Sequence, residues 1–219
     1  MDFQKTFDTY KELVNNYLNN LFKGKNGNIY DAMKYSLYAG GKRIRPVLTL
    51  ACCDALNGDI NSALCYGSAI EMIHTYSLIH DDLPCMDDDD LRRGKPTNHI
   101  VFGEGMAVLA GDALLNYACE SIVSREKPLP ERDLKALGII YKASGVEGMI
   151  GGQVMDIEAE TKAIDAAELS ILHQKKTGAL IKASASLGAI SAGKDENLFL
   201  GYASSLGLAF QIRDDILDV

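Results

Sequence analysis

The sequence predicts an all-α fold. Apolar residues recur at steps of three and four along most of the chain, which is the periodicity of an amphipathic helix. The sequence shows no clear apolar–polar alternation of the kind that indicates strands, and no hairpin dipeptide framed by strands. Repeats and low-complexity tracts are also missing, and 47% of the residues are apolar, which is enough for a core. We therefore expect a single domain over residues 1–219, built of long helices with short connections.

The first three helices are predicted from the opening quarter of the chain. The first helix carries apolar side chains at spacings of three and four, namely at Phe3, Phe7, Tyr10, Val14, Tyr17 and Leu21. The second covers about 29–38 and should end before Gly40, because glycine readily adopts the left-handed conformation that closes helices. Pro46 can occupy the first turn of a third helix that stops near Asn57.

A long fourth helix is predicted to begin with Asn61 as its cap and to reach about Asp82. Pro84 then breaks it, since proline lacks the backbone donor that a helix needs. The charged stretch 87–97 is interpreted as a loop. Further helices are expected at about 103–124, 130–144, 146–160, 166–191 and 195–219. Start signals for three of them are Pro130, Asp165 and Asp195.

The charge balance argues against a nucleic-acid-binding protein. The chain has 22 basic and 30 acidic residues, a net charge of −8, and no visible basic face. Binding of phosphorylated substrates must then depend on a few local cations, or on metal ions that carboxylates hold. The sequence thus points to localised sites and predicts no nucleic-acid partner.

Cysteine content and the N-terminus indicate a cytoplasmic protein. The five cysteines form no zinc-type spacing, and we interpret them as small buried hydrophobes in a reducing compartment. The first residues lack the basic-then-apolar layout of a signal peptide. No run of about 18 apolar residues is long enough to cross a bilayer, so no transmembrane segment is expected.

The most informative segment holds six aspartates within ten residues, 81–90. Asp81 and Asp82 lie at the C-terminal end of a predicted helix, where the helix dipole already disfavours negative charge. Pro84 can turn the chain so that Asp87 comes back toward Asp81. Hard divalent cations would compensate these carboxylates, and Mg²⁺ is usually held by one or two carboxylates plus substrate phosphates. The alternative is a solvated acidic loop.

A second acidic cluster lies at the end of the chain. Asp214 and Asp218 are four residues apart on a predicted helix and share one face, beside Asp215. A metal ion between the carboxylates would turn their repulsion into binding. Alone, this motif is equally compatible with a solvent-facing acidic patch, but two such clusters on apolar helices favour a metal site.

Two basic clusters suggest binding of an anion. Lys42, Arg43 and Arg45 follow a pair of glycines at a helix start, where backbone N–H groups favour anions and arginine adds bidentate hydrogen bonds to phosphate. Arg92 and Arg93 follow the first aspartate cluster. Each cluster alone could be a solvated turn. Together with the acidic clusters they predict one site that holds one diphosphate through metals and another through cations.

Two helical segments carry further candidates. His74 lies seven residues before Asp81, so both side chains project from nearly the same side of the helix, about 20° apart. Lys176 and Thr177 precede a mid-helix glycine, which suggests close approach by a ligand or by another helix. A structural role is the alternative for each.

Taken in order, these motifs resemble the trans-polyprenyl diphosphate synthase family, and within it the bacterial-type farnesyl diphosphate synthases. The resemblance runs from about Tyr30 to Val219. The segments that carry it are GGKRIRP (40–46), SLIHDDLPCMDDDDLRRGKPTNH (77–99), GDALL (111–115), GGQVMD (151–156), KTGAL (176–180) and FQIRDDILD (210–218). It implies a terpenoid synthase fold, with helices around a central active-site cavity.

The resemblance also implies the residue roles. Magnesium ions that clamp the allylic diphosphate would be held by the two aspartate-rich motifs, Asp81, Asp82, Asp87, Asp214, Asp215 and Asp218. Isopentenyl diphosphate would be bound by Lys42, Arg45, His74 and Arg93. The allylic diphosphate or the developing cation would be contacted by Arg92, Lys176, Thr177 and Gln211. The implied reaction ionises the allylic substrate, joins it to isopentenyl diphosphate and releases a proton in a dry apolar cavity.

Product length and chain completeness are further implications. In the family, residues just before the first aspartate motif form the cavity floor, and the bulky Tyr76, beside Ser77, resembles enzymes that stop at fifteen carbons. We therefore expect farnesyl diphosphate, with geranylgeranyl diphosphate as the alternative. Family members continue through further helices after the second motif, so a C-terminally truncated chain is expected, and a homodimer is the implied assembly.

Three other classes are weighed against this interpretation. An HD-type metal phosphohydrolase would use a His-Asp dipeptide such as His80-Asp81, but it leaves the second acidic cluster and GGKRIRP without a role. A non-catalytic subunit of a heteromeric synthase would usually lack one aspartate motif, and both are intact. A terpene cyclase would not need the GGKRIRP cations, which indicate a second diphosphate.

Overall fold

Helices form where apolar residues repeat every three or four positions, and the all-α prediction is confirmed. The computed structural model describes residues 2–217, with the side chains of all of these except Asp214, Asp215 and Leu217. The helices are α1 (Phe3–Leu21), α2 (Asn28–Leu37), α3 (Ile44–Asp54), α4 (Ile60–Asp81), α5 (Asn98–Phe102), α6 (Glu104–Val123), α7 (Pro130–Ser144), α8 (Met149–Ala159), α9 (Ala166–His173), a π-helix (Gln174–Gly178), α10 (Ala179–Ser191) and α11 (Leu200–Leu217). The strands β1 (Leu91–Arg92) and β2 (Lys95–Pro96) pair antiparallel.

The helices are distributed over two compact units. The first consists of Met1–Val47 and Ser68–Pro128, and the second of Leu48–Gly67 and Leu129–Val219. Helices α3 and α4 therefore contribute residues to both units. The expectation of a single domain stays a prediction.

In the first unit, α1, α2, α5 and α6 are joined through buried polar contacts as well as apolar packing. The Tyr117 hydroxyl donates to Leu21 O at 3.0 Å, and the Asn98 side-chain amide donates to Ala32 O at 2.9 Å. The Phe22 ring lies 5.0 Å from the Tyr117 ring, centroid to centroid. The fully buried side chains around these contacts include Leu18, Leu37, Ile70, Ile73, Ile79 and Leu114.

In the second unit, α10 packs closely on α3. Thr49 donates its hydroxyl proton to Ser184 O at 3.0 Å, and a Cβ on Gly188 would lie 2.5 Å from the Cβ of Cys52. A residue larger than glycine at position 188 of α10 would therefore clash with α3. Burial raises the pKa of the Cys52 thiol to about 12 and that of Cys53 to about 11, so both are uncharged at neutral pH.

The cysteine prediction holds for part of the set. All five are free thiols; Cys52, Cys53 and Cys65 are buried, Cys119 is half-buried and Cys85 is exposed. Cys85 lies in the turn after Pro84, where the chain has left the apolar helix, and the prediction that it is buried is wrong.

Several predicted boundaries are also wrong. Asp59, rather than Asn61, caps α4, since its carboxylate accepts the Asn61 N–H at 3.0 Å. The predicted loop 87–97 contains the β1–β2 hairpin. The predicted helix 166–191 is divided by a π-helical turn into α9 and α10, while Asp165 caps it as expected through a capping box.

Helix α6 bears on the expectation that no segment spans a membrane, which stays a prediction. It is 20 residues long, with a mean hydropathy of 1.3 over its most apolar window, so length and composition alone would allow it to cross a bilayer. Forty-four per cent of that window is buried inside the protein, and a core helix passes the same test. Hydropathy alone therefore does not tell whether α6 is a core helix or a membrane-spanning helix.

Candidate functional site

The GGKRIRP segment forms a left-handed turn between α2 and α3. Gly40 and Gly41 have φ of 93° and 114°, and Arg43 has φ of 54°, which is unfavourable for a residue with a Cβ. The Arg43 side chain is buried and donates to the Glu71 carboxylate at 2.8 Å and to the Asn15 side-chain oxygen at 3.2 Å. Arg43 is thus turned inward, while Lys42 is exposed.

The β1–β2 hairpin reaches this turn through Arg93. The Arg93 guanidinium donates to Gly40 O. A Cβ on Gly41 would lie 2.5 Å from the same guanidinium, so residue 41 must be glycine for Arg93 to lie there. The sequence places these residues about 50 positions apart in two separate basic clusters, and the structure brings them together.

The pKa of His74 on α4 is influenced by the charges of four arginines. Burial lowers the pKa of His74 well below its usual 6.5, and the positive charges of Arg45, Arg93, Arg43 and Arg92 lower it further. His74 is therefore neutral at pH 7 and can donate one hydrogen bond without adding charge.

Arg45 and Arg93 influence each other electrostatically. Burial lowers the pKa of Arg45, Glu71 raises it, and Arg93 lowers it. We call the group formed by Arg43, Arg45, His74 and Arg93, with Glu71, the cation cluster. It carries three guanidinium groups against one carboxylate, so its excess charge is positive and suited to an anion.

The first aspartate motif begins where α4 ends. The Leu83–Asp88 turn reverses the chain, and the Asp87 N–H donates to Asp81 O at 2.8 Å. Asp87 therefore returns toward Asp81, as predicted. Asp81 is half-buried and Asp87 is exposed. Their roles as metal ligands stay predictions.

Asp82 is engaged by Arg92. The Arg92 Nε donates to an Asp82 carboxylate oxygen at 2.5 Å, and its Nη2 donates to Asp89 at 3.2 Å. The Asp82 side chain is only 5% exposed. Burial raises the pKa of the Asp82 carboxyl, and Arg92 offsets part of that rise. The two adjacent arginines thus reach two different motifs, Arg92 the aspartates and Arg93 the glycine turn.

The protein alone does not form a closed metal cage in the part of the chain that the structure describes. Among the side chains that the structure describes, which exclude those of Asp214 and Asp215, no group of three or more histidine, cysteine, aspartate or glutamate residues is gathered as a metal site. Two carboxylates completed by substrate phosphates are a sufficient Mg²⁺ environment.

The predicted chain-length residues lie one to two turns before the aspartates. Tyr76 is buried, its ring lies edge-on to His80 with centroids 5.8 Å apart, and its hydroxyl has no hydrogen-bond partner among the described residues. The Ser77 hydroxyl donates to His74 O at 3.0 Å. A Cβ on Gly111 would lie 2.1 Å from the His80 ring, which explains the glycine of GDALL.

The second unit contains the Lys176 site. Lys176 donates to the Asp156 carboxylate at 2.5 Å, from the π-helix to α8. A Cβ on Gly152 would lie 2.3 Å from the Lys176 backbone nitrogen, so the glycine of GGQVMD allows the two helices to touch. Thr177 is half-buried on the same π-helical turn.

The second aspartate motif lies on α11. Gln211 is half-buried there, and Asp214 and Asp215 belong to the same helix. The side chains of Asp214 and Asp215, and the whole of Asp218, lie outside the described part of the chain. Their predicted metal role stays a prediction.

Sequence reasoning missed several partners of the predicted residues. Glu71 and Asn15 hold Arg43, and Asp89 assists Asp82 in holding Arg92. Glu71 offered one signal, because it is the acidic residue within a long apolar stretch of α4, three positions before His74. Asn15 offered none.

These features define a class of helical protein with an arginine cluster and an aspartate-rich helix end, an arrangement suited to phosphorylated anions. The chain belongs to the polyprenyl synthetase family, whose sequence model matches residues 26–219. It is thus a member of a prenyltransferase family.

Three relatives illustrate the likeness. The chain is 53% identical to a farnesyl diphosphate synthase of Geobacillus stearothermophilus, over 86% of this chain and 65% of the relative. It is 50% identical to a geranylgeranyl diphosphate synthase of Cyanophora paradoxa, over 95% and 72%. It is also 50% identical to the large subunit 1 of a heterodimeric geranylgeranyl pyrophosphate synthase of Arabidopsis thaliana, over 100% and 62%. The chain therefore spans about two thirds of the length of these relatives.

A solved structure confirms the fold. An FPP/GFPP synthase from Zymomonas mobilis superposes with a TM-score of 0.90 at 41% identity, covering 98% of this chain and 80% of that one. The predicted terpenoid synthase fold is confirmed.

Proposed function

We propose that this protein joins isopentenyl diphosphate to an allylic diphosphate, dimethylallyl or geranyl, and that its main product is farnesyl diphosphate. The observation that carries the proposal is the pair of neighbouring arginines. Arg92 binds the Asp82 carboxylate of the aspartate motif, and Arg93 of the cation cluster donates to Gly40 O in the glycine turn. One hairpin thus links a site suited to metal ions with a site suited to a diphosphate that is bound without metal.

The cation cluster is the proposed site of isopentenyl diphosphate. Lys42 lies within the left-handed turn and Arg45 follows it at the start of α3, and Arg93 and His74 complete the proposed set. Arginine forks match phosphate oxygens bidentately, and a neutral His74 adds a hydrogen bond. No metal is needed for this diphosphate, which fits its role as the substrate that keeps its diphosphate.

The allylic diphosphate is the proposed ligand of the aspartate motifs. Asp81 and Asp87 supply hard carboxylate oxygens, and the hydrogen bond between their backbones brings them together, so this part of the site fits Mg²⁺. The partner carboxylates would be Asp214, Asp215 and Asp218. Bound magnesium would neutralise the charge that develops on the departing diphosphate.

The side chains of the protein would act mainly by position and charge. The allylic diphosphate or the developing cation would be contacted by Arg92, Lys176, Thr177 and Gln211 as the allylic C–O bond breaks. Polar groups that are fixed before the charge develops stabilise it most effectively. The double bond of isopentenyl diphosphate then attacks the allylic carbon, and a proton is lost. The Asp156 carboxylate, 2.5 Å from the Lys176 ammonium, would hold that ammonium in position.

Product length is proposed from Tyr76. A buried aromatic ring before the aspartate motif favours a fifteen-carbon product over a twenty-carbon one. Relatives named for farnesyl and for geranylgeranyl diphosphate synthesis match at similar identity. Geranylgeranyl diphosphate is therefore the alternative product.

Assembly and compartment belong to the same proposal. Exposed apolar side chains on α6, Val108, Leu109 and Val123, favour a homodimer with this face buried. A relative named as a heterodimer subunit keeps the alternative of a heteromeric enzyme open. The five free thiols favour the reducing cytoplasm.

Product analysis tests the function. The chain, and any longer product of its gene, is incubated with dimethylallyl diphosphate, isopentenyl diphosphate and Mg²⁺, with a chelator control, and products are identified by mass spectrometry. We expect a fifteen-carbon diphosphate that disappears with chelator. A folded full-length protein that yields no prenyl product would overturn the proposal, and phosphate release without prenyl transfer would favour the hydrolase class.

A further inference from the structure

We propose that Glu71 is a positioning residue for isopentenyl diphosphate: its carboxylate anchors Arg43 and so fixes the left-handed turn that presents Lys42 and Arg45 to the substrate. This inference rests on the proposed function of the cation cluster. Glu71 is not expected to touch the substrate itself.

The Glu71–Arg43 pair is fully enclosed. Both side chains are 3% exposed, and the Arg43 Nη1 lies 2.8 Å from the Glu71 Oε1. Arg43 also donates to the Asn15 side chain on α1 and to Leu37 O at the end of α2. One guanidinium therefore ties the turn to three helices, and only the Glu71 contact is an ion pair.

The turn needs such an anchor because its backbone is unfavourable. Arg43 has φ of 54°, a region that residues with a Cβ rarely adopt, and two glycines with positive φ precede it. Without the anchor, residue 43 would relax toward the right-handed region. That rotation would redirect Lys42 before it and Arg45 after it.

Glu71 also sets the charge of the cluster. It raises the pKa of Arg45 and of Arg93, and among the side chains that the structure describes it is the carboxylate that does so. The cluster is left with more positive than negative charge, which a diphosphate can neutralise. Removal of the carboxylate would increase this positive excess.

Positioning and simple charge balance predict opposite results for Glu71→Gln. If Glu71 only reduces the positive charge, the variant should bind diphosphates more tightly. If Glu71 holds the turn, the variant should bind more weakly even though the site has become more positive. The direction of the change in Kd therefore decides between the two roles.

Calorimetric titration of the protein with isopentenyl diphosphate, and separately with inorganic diphosphate, both without metal, tests the proposal. We expect Glu71→Gln to raise the Kd for isopentenyl diphosphate about tenfold or more, equivalent to about 1.4 kcal/mol. In the enzymatic assay the KM for isopentenyl diphosphate should rise likewise, while the KM for the allylic substrate changes less than about twofold.

Two further variants keep the test decisive. Asp133→Asn alters another buried carboxylate, which binds Tyr66 and Leu129 in the second unit, and should lower the Tm without changing the Kd. Arg43→Lys keeps the charge but removes the guanidinium fork, and should weaken binding as Glu71→Gln does. If Glu71→Gln does not fold, Arg43→Lys decides the outcome.

Unchanged or tighter binding in the folded variants would overturn the positioning role. Failure of the proposed function is a separate result. A wild-type protein could bind isopentenyl diphosphate and yet make no prenyl product, and the change in Kd for Glu71→Gln would still test the role of Glu71.

Discussion

His74 illustrates how neighbouring charges set the chemistry of a single residue. Burial lowers its pKa well below 6.5, and the charges of four arginines lower it further, so the folded protein holds it neutral. The unfolded chain protonates it near pH 6.5. Below that pH the unfolded state binds more protons than the native state, so stability must fall as the pH falls.

We predict that His74→Gln reduces this pH dependence. Between pH 6.5 and the lower pKa of the folded state, His74 contributes a slope of up to about 1.4 kcal/mol per pH unit, and stability is lost toward acid. Urea unfolding of both proteins from pH 8 to pH 5 measures it. The wild type should lose more stability than the variant, and equal losses would show that His74 titrates normally.

Tyr76 is the residue that should determine product length. Its ring is buried before the aspartate motif, and its hydroxyl has no partner among the described residues. We predict that Tyr76→Ala shifts the main product from fifteen to twenty carbons or more, because removal of the ring deepens the space for the growing chain. Mass spectrometry of the products measures the shift.

Tyr66→Phe is the matched control for that change. Tyr66 is a buried tyrosine whose hydroxyl donates to Asp133 at 2.7 Å, so the variant should lose stability and keep the product length. A Tyr76→Ala enzyme that still stops at fifteen carbons would remove Tyr76 from the chain-length role.

At this scale the sequence predicted which residue types gather but not what holds them. Asp81, Asp87, Arg93 and His74 follow from motifs whose spacing can be read along the chain. The Glu71–Arg43 pair joins positions 28 residues apart, and no local pattern reports such a contact. Buried partners of a motif depend on how helices pack, which periodicity does not specify.

The π-helix forms a close contact with α8. Gln174–Gly178 widens the helix just where it touches α8, and π-bulges are frequent at functional sites. Lys176 lies on this turn, with Gly152 against its backbone nitrogen. From this turn Lys176 donates to the Asp156 carboxylate of α8.

We predict that Gly152→Ala destabilises the protein by about 1–3 kcal/mol or more, because the new Cβ would overlap backbone rather than a movable side chain. Activity should fall with it, since Lys176 must move. Gly138→Ala is the matched control, an exposed position within α7 with nothing within 4 Å of the added Cβ, and it should be neutral or stabilising. Equal Tm values for the two variants would contradict the close contact.

The positions of the helices were easier to predict from the sequence than the irregular turns within and between them. The bounds 130–144 of α7 are confirmed because proline and a glycine mark both ends. The predicted helix 166–191 is wrong in its middle, because the π-turn at Gln174–Gly178 leaves the apolar period almost unchanged. The β1–β2 hairpin was missed because two-residue strands carry no alternation.

The whole molecule combines a net charge of −8 with local positive sites. Its acidic excess would not prevent the proposed diphosphate binding, because the arginines of the cation cluster act at short range and more distant charges are screened by salt. The exposed apolar face of α6 is the feature with a consequence for assembly.

We predict that Leu109→Glu weakens self-association. Leu109 is 55% exposed in the isolated chain, so a charge there costs little folding energy but would have to be buried in a dimer through α6. Sedimentation should show a wild-type dimer and a variant shifted toward monomer. Leu134→Glu, at an exposed position on α7, is the control, and a wild-type monomer would refute the dimer.

The first aspartate motif is proposed to serve metal-dependent prenyl transfer and not to be a solvated acidic loop. The most direct measurement compares the rates of Mg²⁺-dependent prenyl diphosphate formation by the wild type, Asp81→Asn and Asp88→Asn. Asp88 is exposed in the same loop with φ of 53°, a conformation that asparagine tolerates. We predict that Asp81→Asn loses about 100-fold or more of the rate while Asp88→Asn stays near wild type. Equal rates for all three proteins would contradict a metal-holding role for Asp81.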